Sequence, residues 1–203
     1  QLKTSFQQGI GPVRLGNMFV EDVIQDEIRS WSKEALEKIN PNFNDLPACP
    51  FAEGAWADDK VGIAFKTSPS YQALTTIIST WDDKKDLVIL VDLKYKQDRD
   101  EFYQHVEGLN EAIAEGIFIE DDIWLMAFHP DDEPDELVYG HEDLVSVIDT
   151  SYAMIFVQRL SKLHESSEKL KKTGYYKKYE EQFGLNEMLT VRETYYRRLK
   201  DEE

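Results

Sequence analysis

Leu87 to Val91 is an unbroken apolar run, and no other feature constrains the fold of this chain so strongly. A segment that short and apolar at every position suits a strand covered on both sides, and such a strand needs helices over both faces of its sheet. The neighbouring sequence provides them. From Glu21 to Ile39, the residues Ile24, Ile28, Trp31, Ala35 and Ile39 recur every three or four positions and form one helical stripe, which Asn40-Pro41 ends because proline disfavours helical geometry in the residue before it. Val61 to Phe65 reads as a first short strand. Ser68 then reads as an N-cap with Pro69 at the first helical position, opening a helix that buries Leu74, Ile77, Ile78 and Trp81. Asp98 and Glu101 form a second capping pair ahead of Phe102, Val106, Leu109 and Ile113, with Gly116 as terminator, and Ile123 to Phe128 is a third strand.

Strand, helix, strand, helix, strand predicts an α/β fold with a small parallel or mixed sheet, a βαβαβ core joined by right-handed crossovers, and flanking helices. Leu144 to Leu170 reads as one long helix whose Val145, Ile148, Tyr152, Ile155 and Phe156 face the core and which Gly174 stops. The pattern divides the chain into an irregular N-terminal arm (1–20), an α/β domain (21–174) and a helical C-terminal extension (175–203). The 203 residues suit one domain of ordinary size.

Several functional classes are disfavoured by composition. No apolar run approaches the ~20 residues of a membrane helix, and the first residues lack the basic-then-apolar layout of a secretory signal. Cys49 is the single cysteine, so no intrachain disulfide can form, and the expected compartment is the cytoplasm. With 23 Lys and Arg against 40 Asp and Glu, the net charge is −17, which opposes attraction to nucleic-acid phosphates. Such acidity is compatible with plain solvation, with a basic protein partner, or with imitation of nucleic acid; a homo-oligomer is a further expectation for the C-terminal extension.

In sheets with parallel strands, ligands bind outside the carboxyl ends of the strands. Those ends carry Lys66, Thr67 and Ser68, then Asp92 and Lys94, then His129, Asp131 and Asp132, a mixture suited to an anionic small molecule. His129 is the sharpest local feature, because an apolar strand delivers an imidazole into the Pro130-Asp131 turn. It reads as a general base or metal ligand, or else as a histidine paired with a nearby acid. Cys49, before Pro50, reads as a nucleophilic thiolate or as a small buried hydrophobe. A divalent metal held by His129, Asp131 and His141 is an alternative, as is a hard cation in the run from Asp131 to Glu136. His105, inside a helix, and His164, near a helix end, read as surface residues.

The order of Trp31, Cys49-Pro50-Phe51-Ala52, Lys60-Val61, the Leu87 to Val91 strand, Phe128-His129-Pro130-Asp131, then Ser151, Tyr152 and Arg159 resembles a bacterial domain-of-unknown-function family of similar length. The likeness spans roughly Asp26 to Leu170. It differs at Ser151-Tyr152-Ala153, where the family's tyrosine is flanked by prolines. The resemblance implies positions rather than a reaction. The combined expectation is a small-molecule enzyme with Cys49 and His129 facing one pocket, and with Lys60, Lys94, Ser151 and Arg159 binding an anionic substrate. Its alternatives are a non-catalytic acidic module for a basic protein and a His/Asp metal-dependent enzyme.

Overall fold

The computed structural model describes residues 14–15, 18–117, 121–132, 152–177, 180–181 and 187–201. In chain order these form a two-strand ribbon, β1 (Arg14–Leu15) and β2 (Met18–Phe19), then α1 (Val20–Trp31) and a second short pair, β3 (Ile39–Asn40) and β4 (Leu46–Pro47). They continue through α2 (Ala52–Ala57), β5 (Val61–Lys66), α3 (Gln72–Ser79), β6 (Leu87–Asp92), α4 (Arg99–Ala114) and β7 (Trp124–Phe128). The last elements are β8 (Ala153–Gln158), α5 (Leu160–Lys171) and α6 (Glu187–Asp201).

The main sheet has four strands in the order β5-β6-β8-β7. β5 and β6 are parallel and end in register, Lys66 opposite Asp92. β8 lies antiparallel between β6 and β7, with Leu87 and Trp124 both opposite Gln158. β5, β6 and β7 therefore point the same way, and their carboxyl ends share one edge. The fold is mixed α/β.

Two apolar clusters cover the sheet. On one face, Leu74 and Ile78 of α3 and Phe102, Val106 and Ile113 of α4 pack on Leu90, Leu125, Ile155 and Val157. On the other, Ile24, Ile28 and Trp31 of α1, with Ala35, pack on Ile89, Val91, Met154 and Phe156. β6 alternates its residues between the clusters, which is why its sequence is apolar throughout.

The expected long helix from Leu144 to Leu170 is a correction. Ala153 to Gln158 is a strand, and the helix after it begins only at Leu160. Every residue from Ala153 to Val157 is buried, a pattern that a strand between two covered faces satisfies and a helix with one solvent face does not. Val145 and Ile148 lie outside the described residues.

Smaller corrections concern boundaries. The first helix ends at Trp31 and gives way to a single π turn, Ser32–Leu36, so Ile39 falls off the stripe and is 72% exposed. α3 starts at Gln72 rather than behind Ser68, whose hydroxyl instead contacts Ser70 Oγ at 3.1 Å. The cap at Asp98 forms as expected, its carboxylate accepting from Glu101 N–H at 2.9 Å. Gly116, at φ +76, ends α4 in the left-handed conformation that glycine adopts without strain. α6 lies along α5 and meets the start of β7, with His164 stacked on Tyr196 and Tyr195 tilted against Trp124.

Candidate functional site at the carboxyl edge of the sheet

Two adjacent parallel strands finish in opposite charges. Lys66 and Asp92 are register partners with side chains 4% and 2% exposed, and Lys66 Nζ lies 2.5 Å from Asp92 Oδ2. The other carboxylate oxygen accepts from Lys94 N–H at 2.9 Å, which fixes the turn after β6. The Lys66 ammonium sits 4.6 Å from the centre of the Tyr71 ring, and that ring packs at 4.5 Å on the His105 imidazole. Burial, with Lys66 adding to it, pushes His105 below the usual histidine range and keeps it neutral.

His129 follows β7 directly and is 2% exposed. Tyr95 meets its ring edge-on at 5.2 Å and Phe102 lies at 5.7 Å. Asp131 N–H donates to its Nδ1 at 3.2 Å, so the neutral ring carries its proton on Nε2. Among the described residues, neither His129 Nε2 nor His105 Nε2 has a hydrogen-bond partner, although both atoms are buried. Asp132 ties down the turn beneath, accepting from His129 N–H, the Tyr103 hydroxyl and Arg99 Nε at 2.8, 2.9 and 3.1 Å. Burial, reinforced by Asp132, holds the Tyr103 phenol protonated well above its ordinary range.

The residues expected to form one pocket are dispersed. His129, Lys94 and Asp131 reach the carboxyl edge. Lys60 precedes β5 and Arg159 follows β8, so both lie at the opposite edge; Lys60 Nζ contacts the Lys84 carbonyl at 3.4 Å, and Arg159 Nε donates to Asp83 at 2.9 Å. Cys49 does not meet His129. Its N–H donates to the Leu36 carbonyl, and Leu36 belongs to the α1 layer, whereas His129 packs on Phe102 in the α4 layer across the sheet. Ser151 and His141 lie outside the described residues. Asp131 Oδ2 stands 3.6 Å from His129 Nδ1, but no group of three metal-ligating side chains forms among the described residues.

Burial pushes the Cys49 thiol up, backbone hydrogen bonds from Phe51 and Ala52 oppose this, and the Glu37 carboxylate adds to it. Only the thiolate attacks, so native Cys49 should react with iodoacetamide at least ~10-fold more slowly than the unfolded chain. Alkylation followed by mass spectrometry checks this. A native rate equal to the unfolded one would restore the nucleophile reading.

Lys66 and Asp92 were legible as strand ends, but their pairing was not. His105, which read as a surface residue, turns its Nε2 inward. The missing signal was register: only the Val61–Leu87 alignment brings the two charges together. Comparisons with protein-family models, with curated proteins and with solved structures found no match to the chain. No described helix is long and apolar enough to cross a membrane.

Proposed function

We propose that this chain is an enzyme acting on a small anionic molecule at the carboxyl edge of its sheet. Lys66 supplies the charge that holds the anion, Asp92 aims the Lys66 side chain, and His129 Nε2–H is the hydrogen-bond donor facing the reacting group. The observation that carries this reading is the buried Lys66–Asp92 pair, which finishes two strands at the same sheet edge as His129, a buried ring whose Nε2 has no hydrogen-bond partner among the described residues. Two apolar side chains in place of a buried ion pair commonly give equal or better stability, so the pair is better explained by chemistry than by folding. Buried polar atoms without partners are few in native proteins, and catalytic duty is one of their standard explanations.

The reading is tested by ligand-observed NMR of the full chain against panels of phosphorylated and carboxylated small molecules. One anion class should bind wild type and bind the Lys66→Met, Asp92→Leu double variant at least ~10-fold more weakly, the cost of losing a charge-assisted contact. Equal binding by the two proteins, or no binding by either panel, would overturn it.

A further inference from the structure

The seam between α5 and α6 holds a buried cation. Arg192 is 8% exposed, and its Nη2 donates to Ser167 Oγ at 2.5 Å. The Tyr176 hydroxyl also donates to Ser167 Oγ, at 3.4 Å. Ser167, itself 7% exposed, thus accepts twice and retains its own proton, for which the described residues offer no acceptor. Among the described residues no carboxylate pairs with Arg192. That is unexpected in a chain with 40 acids and 23 bases, where Arg29, Arg99, Arg159 and Arg197 pair with Glu37, Asp132, Asp83 and Glu193. Of the acids on the two helices, Glu165 pairs with Lys169, Glu168 with Lys171, and Glu193 with Arg197. A buried guanidinium left without an anion is costly, and its fork of N–H donors matches an oxyanion.

We infer that Arg192, Ser167 and Tyr176 form a binding site for a phosphate-type oxyanion, either inorganic phosphate or a phosphate monoester. The donors come from two helices and from the turn after α5. A tetrahedral phosphate satisfies such a set, whereas a planar carboxylate engages the guanidinium fork alone. This site is separate from the carboxyl edge, with Ser167 on α5 and Arg192 on α6.

Calorimetric titration of the full chain with inorganic phosphate, and in a second arm with glycerol phosphate, against chloride at equal ionic strength, tests the inference. Wild type should bind phosphate, Arg192→Met at least ~10-fold more weakly, and Arg192→Lys in between, because lysine keeps the charge without the fork. Ser167→Ala should bind several-fold more weakly, and it decides the matter if Arg192→Met fails to fold. Tighter binding of glycerol phosphate would assign the site to a monoester, and the reverse order to free phosphate. Absence of phosphate binding by wild type, or unchanged binding in Ser167→Ala, overturns the inference. So does loss of phosphate binding in the Lys66→Met, Asp92→Leu variant alone, which would place the anion at the carboxyl edge instead.

Discussion

Asp92→Ala is expected to destabilise the protein by ~3–5 kcal/mol, because it strands the Lys66 ammonium in an interior where it has lost its counter-ion. The prediction rests on burial: both side chains are below 5% exposed, so water cannot screen or replace the lost partner. The Tyr71 ring 4.6 Å from Lys66 Nζ recovers only part of the loss, since a cation–π contact is worth ~0.5–2 kcal/mol. The double variant Lys66→Met, Asp92→Leu should behave oppositely, staying within ~1 kcal/mol of wild type or exceeding it, since apolar replacement of a buried pair is often neutral or stabilising. Urea unfolding followed by circular dichroism measures both. If the single and double variants lose the same stability, the charges serve packing and their functional reading loses its basis.

Asn110→Leu carries the second large effect. Asn110 is buried on α4, and its amide both donates to the Leu125 carbonyl at 2.9 Å and accepts from the Leu125 N–H at 2.8 Å. β7 is an outer strand of the sheet, so these backbone groups point away from β8 and have no strand to meet. The side chain imitates one, closing part of an edge that would otherwise invite pairing with another chain. Substitution leaves a buried donor and a buried acceptor unsatisfied at ~1–3 kcal/mol each, so a loss of about 2–6 kcal/mol is expected. Faster hydrogen exchange at the Leu125 amide should accompany it. A variant as stable as wild type, with unchanged exchange, would mean that water takes over both bonds.

Much of the fold was legible because period and capping agree. The unbroken run at Leu87 to Val91 announced a two-sided sheet, and the stripes Ile24, Ile28, Trp31 and Phe102, Val106, Ile113 gave the helices that cover its opposite faces. β8 was misread for a physical reason. Ala153 to Val157 is as apolar as β6, but it runs through Gln158 and Arg159 straight into the helix at Leu160, with no glycine or proline to mark the change of period. That error hid the insertion of β8 between β6 and β7.

The candidate site was legible only in part. The strand-end rule located Lys66, Asp92 and His129 at one edge, since that depends on strand direction alone. Pairing Cys49 with His129 required knowing which face of the sheet each joins, and two residues in loops of different layers carry no periodicity that reveals it. The inward turn of His105 was hidden in the same way, because Phe102 and Val106 already accounted for the buried stripe of α4.

On the proposed function, His129 Nε2–H meets an anion held at Lys66. Long-range ¹H–¹⁵N NMR of the histidine rings tests it most directly. The expected result is a His129 proton on Nε2 with Nδ1 accepting from Asp131 N–H, and a displacement of the Nε2 resonance, together with that of Lys66 Nζ, when the bound anion class is added. A His129 carrying its proton on Nδ1, or one whose ring resonances stay still while the anion binds, would contradict it.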